Sequence, residues 1–67
     1  MEIKVIYTNG SVRNIKTNCW EFAGDNLERI DYRIPSPVTV IGFETRSIPL
    51  NDKVSKVIID VDVVYTI

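Results

Sequence analysis

Asp60 and Asp62 are two carboxylates spaced by one residue. On an extended strand they would project from one face about 7 Å apart. Such a pair can hold a hard cation or divide acid–base work. No other acidic motif with ligand spacing accompanies it, so it reads as the solvated side of a strand, guarding against edge aggregation. The second arrangement is Arg29-Ile30-Asp31-Tyr32-Arg33. On a strand, Arg29 and Arg33 share a face with Asp31 between them. With Arg13 and Tyr32 they form a constellation that could track and stack on single-stranded bases. Without such a ligand it is a surface face laced by Arg–Asp pairs.

Cys19 could act as a nucleophile, but the chain has no histidine to serve as its base. Asn18 and Trp20 beside it do nothing to lower a thiol pKa. Ser11, Ser36, Ser47 and Ser55 have no triad partner or elbow motif, and Gly10, Gly24 and Gly42 are isolated rather than gathered in a phosphate loop. The expectation is a protein with no catalytic residue, cofactor or metal site.

The charge count agrees. Eight basic residues face nine acidic ones, a net charge of −1. Residues 1–35 carry five bases and five acids, and residues 36–67 carry three and four. Neither half is a basic arm or an acidic tail, so phosphate-backbone binding is disfavoured. The longest apolar runs are far too short to span a bilayer. The start, Met-Glu-Ile-Lys-Val, has charges where a secretory signal would be apolar. A single cysteine permits no internal disulfide. An intact cytoplasmic product is therefore expected.

Sixty-seven residues with 45% hydrophobic content make one small domain, residues 1–67. Its elements are set by turn marks. Asn9-Gly10 lies between two runs rich in β-branched residues, a strong hairpin signal. A three-residue loop, Thr8-Asn9-Gly10, pairs Tyr7 with Ser11, Val5 with Arg13 and Ile3 with Ile15. It puts Ile3, Val5, Tyr7 and Ile15 on one face and Glu2 opposite Lys16. A one-residue slip would scramble that face. The longer loop is therefore expected, with Gly10 left-handed.

Two segments can be read either way. In 18–23, Trp20 and Phe22 alternate as in a strand, while Asn18 and Glu21 fit a capping box. In 27–34, Ile30, Tyr32 and Ile34 alternate, while Asp25 and Glu28 form a second box. Strands are expected at both, with a turn at Gly24-Asp25-Asn26. Pro35-Ser36-Pro37 reads as an extended connector and Val38 to Arg46 as a strand bent at Gly42. Pro49 confines Ile48-Pro49-Leu50 to an edge or loop. Asn51-Asp52-Lys53 is a turn.

From Val54 to Ile67, the residues Val57, Ile59, Val61, Val63, Tyr65 and Ile67 share one strand face. A continuous strand there would reach roughly 40 Å, more than a domain of this size can cover. It must bend, break near Asp60–Asp62, or run on and offer its edge to another chain.

The cadence resembles that of many very small β proteins of phages and mobile elements. The matching pieces are Tyr7 to Ser11, Trp20 to Phe22, Gly24 to Asn26, Ile48 to Leu50 and Val54 to Ile59. That resemblance implies an accessory role, such as a small regulator or inhibitor of a host protein. It carries over no site residues.

The combined expectation is a mainly β fold, a small five-stranded antiparallel barrel or curved sheet with room for one short helical turn. The expected function is a non-enzymatic module binding a protein partner, self-associated as a homo-oligomer, a dimer foremost, with no membrane contact. Trp20, Phe22, Val63, Tyr65 and Ile67 are the interface candidates. The alternative is a single-stranded nucleic-acid-binding small barrel using Arg13, Arg29, Tyr32 and Arg33.

Overall fold

A computed structural model of the chain describes residues 1–36, 38 and 41–67. Among them are seven strands and no helix: β1 (Glu2–Tyr7), β2 (Val12–Lys16), β3 (Trp20–Ala23), β4 (Arg29–Pro35), β5 (Phe43–Pro49), β6 (Val54–Ile59) and β7 (Asp62–Thr66). They form two antiparallel sheets. Sheet A runs in the order β2-β1-β6-β7 and sheet B in the order β3-β4-β5. The first and last hairpins thus make one sheet, joined by β1 against β6, and the middle of the chain makes the other.

The expected five-stranded barrel is corrected on two points. There are two more strands, and they lie in two open sheets rather than one closed or curved one. No helical turn forms in 18–23 or 27–34. There the period of two prevails over the capping residues. Trp20 pairs with Tyr32 and Phe22 with Ile30 across β3 and β4. Those side chains, with Ile34, turn to one side and join the core.

That core contains Ile3, Val5, Ile15, Val54, Val57 and Ile59 from sheet A, and Ile30, Tyr32 and Ile48 from sheet B. A one-residue slip in either sheet would move these rows to solvent, so burial itself pins the register. The first hairpin has the expected three-residue loop. Glu2 pairs with Lys16, Ile3 with Ile15 and Val5 with Arg13. The Tyr7 N–H donates to the Ser11 carbonyl at 2.9 Å. Gly10 takes φ +88°, which only glycine adopts without strain.

The C-terminal segment is not one ribbon. A continuous strand would exceed the molecule's longest extent of 37 Å. The chain instead reverses at Asp60-Val61, and Ile59 faces Asp62. Asp60 takes φ 55°. Its N–H donates to the Glu2 carbonyl at 2.9 Å, and its Oδ1 accepts from the Glu2 N–H at 3.0 Å. These two bonds tie the reversal to the start of β1. Two bulges then break the simple alternation. Ser55 is the extra residue on β6 against β1, and Val64 is the extra residue on β7 against β6. Val57 and Ile59 are buried as expected, whereas Val61 is 89% exposed. The overhanging strand that motivated self-association is therefore absent. Asp60 lies in the turn and Asp62 in β7, so they do not share a strand face.

The fifth strand starts later than expected, at Phe43, and runs to Pro49. Thr39 and Val40 of the expected strand, and Pro37 of the connector, lie outside the described residues. Pro49 sits on β5, an outer strand of sheet B, where its missing N–H costs no ladder bond. Asn51-Asp52-Lys53 turns the chain into β6, as expected. Among the described residues, no helix is long and apolar enough to cross a membrane.

Candidate interaction surface

The nucleic-acid constellation is not assembled for stacking. Tyr32 is buried, and its ring belongs to the core. Arg13 points inward from β2 and donates to the Tyr32 hydroxyl at 3.2 Å. Arg29 pairs with Asp31 at 3.1 Å and lies 3.8 Å from Glu28. Arg13 and Arg33 are both exposed, but they lie on different strands, β2 and β4. A base has no exposed ring among these residues on which to stack.

The five expected interface residues divide. Trp20 and Phe22 meet edge to face, ring centres 5.4 Å apart, and pack half-buried on the core. Tyr65, also half-buried, comes from β7 to the same cleft as Phe22, with Leu27, Leu50 and Val64 around it. Val63 lies apart, on the far face of sheet A. Ile67 is largely exposed, with its N–H on the Ser55 carbonyl.

That far face is turned away from sheet B, and no motif in the sequence singles it out. Alternation places it. Val5 and Tyr7 point inward, so Ile6 points out; Val57 and Ile59 point inward, so Ile58 points out. Register then arranges two neighbouring rows. Val12, Ile6, Lys56 and Thr66 lie side by side across the sheet, and Asn14, Lys4, Ile58 and Val63 lie beside them. The apolar side chains form a band crossing all four strands, about 14 Å from β2 to β7 at the usual strand spacing. Lys4 opposes Ile58, and Lys56 opposes Ile6. A third row adds Lys16 opposite Glu2. No layer of the chain covers this face among the described residues, yet Ile6 and Ile58 remain only half-buried there. The available signal was that these two residues interrupt the polar side of otherwise alternating strands.

Comparison with known proteins found no matching family model, curated protein or solved structure.

Val38, Ile41 and Phe43 are exposed around the β4–β5 connection, and Phe43 borders a groove shared with Met1, Thr17, Cys19 and Pro35. On the outer face of sheet B, the Ser47 hydroxyl donates to Asp31 at 2.6 Å. That bond holds the Asp31 carboxyl below its ordinary value; partial burial opposes it, and Arg29 adds to it. Asp31 is thus a satisfied structural carboxylate between two partners. Among the described residues, no three metal-ligating side chains converge.

Proposed function

We propose that the protein is a non-enzymatic interaction module that docks on a partner protein through the outer face of sheet A. The observation that carries this reading is the band of Ile6, Ile58, Val12 and Val63 on a face that no other layer covers among the described residues. A two-sheet fold needs one apolar side per sheet, and sheet A already supplies its inner one. A second apolar band on the same strands contributes little to the core and is suited to a partner. The strand registers fix the order of its side chains. The accessory regulator or inhibitor role implied by the resemblance would then be steric, the sheet occluding a surface of a host protein.

A homodimer would have to use another surface. An isologous contact here would join two copies of a face that carries Lys4, Lys16 and Lys56, with Glu2 the one acid among the outward positions of β1, β2 and β6.

The test is differential capture from a lysate of the source cell. Wild-type protein and Phe43→Ser should retain the same partner, and Ile58→Glu should lose it. Loss with Phe43→Ser and retention with Ile58→Glu would move the site to the β4–β5 end and overturn this assignment.

A further inference from the structure

The two kinds of cation in this chain are segregated. All four lysines lie on sheet A or on the turn entering it: Lys4, Lys16, Lys53 and Lys56. Three arginines lie on sheet B, and Arg13 is turned inward to Tyr32. The acids divide more evenly, with Glu2, Asp52, Asp60 and Asp62 on sheet A or its turns. Glu21, Asp25, Glu28, Asp31 and Glu44 lie on sheet B or its loops. The outward positions of β1, β2 and β6 nonetheless carry Lys4, Lys16 and Lys56 against Glu2, with Asp60 in the turn beside Glu2.

Resting on the docking reading above, we propose that the surface recognised is an acidic protein surface. Its carboxylates meet Lys4 and Lys56, and its apolar side chains cover Ile6, Ile58 and Val63. Charge complementarity selects the sign of the partner. Lys4 and Lys56 stand diagonally across the two central strands, each directly opposed by an isoleucine. A matching surface must place carboxylate and apolar groups in the same checkered order. Side chains alternating along a strand, about 7 Å apart on each face, provide that order. Desolvation of each lysine head beside an isoleucine makes an unmatched partner costly, so the pattern discriminates as well as attracts.

The chemistry counts against the other anionic partners. No aromatic ring occupies the outward positions of β1, β2, β6 and β7 that form the rows, so bases find no stacking platform. Three lysines neutralise too few phosphates for strong duplex binding. The apolar groups are the short side chains of valine and isoleucine, not the tryptophan, phenylalanine and leucine that anchor a protein in a lipid interface.

The experiment titrates the isotope-labelled full chain with four probes while its amide resonances are followed. They are a short peptide alternating glutamate and valine, its lysine–valine counterpart, an oligo-thymidine strand, and vesicles containing phosphatidylserine. The glutamate–valine peptide is expected to shift Lys4, Ile6, Lys56 and Ile58. Its affinity should fall about tenfold between roughly 0.05 and 0.5 M salt, and by at least about tenfold in the double variant Lys4→Glu, Lys56→Glu. The lysine–valine peptide should leave these resonances in place. Binding of both peptides to this face would refute the acidic partner while leaving the docking face intact. Stronger binding of the oligonucleotide or the vesicles at the same lysines would replace the protein partner with a phosphate one. Shifts confined to the outer strands, unchanged in the double variant, or no shifts at all, would overturn the proposal. The Ile58→Glu capture experiment judges the docking face separately.

Discussion

Leu27 holds φ at 52° with 59% of its surface exposed. A left-handed leucine costs about 1–2 kcal/mol of backbone energy, and an exposed side chain recovers little of it by burial. The position follows the Gly24-Asp25-Asn26 turn, where the Leu27 N–H reaches the Gly24 carbonyl at 3.3 Å. Asparagine tolerates that conformation, so Leu27→Asn should raise stability by about 0.5–1 kcal/mol in chemical denaturation. A loss instead would mean that the contacts with Phe22 and Tyr65 in the cleft outweigh the strain. At Asp31 the effect is electrostatic. Its folded pKa lies below the unfolded one, mainly through the Ser47 hydroxyl. Its stabilising contribution is therefore present above the unfolded carboxylate value and lost as pH falls through the folded one. Ser47→Ala should move the Asp31 titration upward toward its ordinary range and start acid unfolding at a higher pH. Carboxyl-carbon resonances followed against pH would report the first, and melting against pH the second.

At the crossing from sheet A to sheet B, one buried hydroxyl makes the polar contacts. Thr17 is buried where the chain leaves β2 for β3. Its side chain donates to the Arg33 carbonyl at 2.6 Å and accepts from the Cys19 N–H at 3.2 Å, while its own N–H donates to the Met1 carbonyl at 3.1 Å. It therefore ties the ends of β1 and β4 to the crossing. Thr17→Val keeps the shape and removes the hydroxyl, leaving two backbone groups without that partner. The expected cost is about 1–3 kcal/mol, read as a lower denaturation midpoint with an unchanged slope. At this scale the sequence was legible wherever a turn residue or proline had a single conformational use. Asn9-Gly10 set the first hairpin, because only the three-residue loop gave Ile3, Val5 and Ile15 one face. Pro49 marked an outer strand. A break near Asp60–Asp62 is one of three outcomes the sequence allows, but no glycine or Asn-Gly pair marks it as a hairpin. An aspartate adopts the left-handed conformation there, and its carboxylate bonds to Glu2, distant in sequence. The bulges at Ser55 and Val64 also hid it, since each shifts the alternation that had suggested one continuous strand. Tyr32 shows the corresponding limit for sites. Its neighbours suggested a stacking platform, but its strand position makes it core.

The molecule as a whole is closed by the pairing of β1 with β6, strands about fifty residues apart in the chain. Neither terminal hairpin can cover its inner face without the other and without sheet B, so folding should be one cooperative transition. A chain of this length has about 3–10 kcal/mol of stability to lose. Ile3 is fully buried at the junction, facing Ile15 on one side and Ile59 on the other. Ile3→Ala should cost about 2–5 kcal/mol, a large part of that total. Ile6 and Ile58 lie on the same two strands but on the opposite face. Threonine keeps the β-branched shape and strand preference, so the double variant Ile6→Thr, Ile58→Thr should stay within about 1 kcal/mol of wild type. These residues would then be shown to contribute little to folding, as expected of side chains available to a partner. Denaturation of the two variants in parallel decides it. If the outer pair costs as much as Ile3, its isoleucines serve the fold through cross-strand packing with the lysine stems, and the docking face loses its main support.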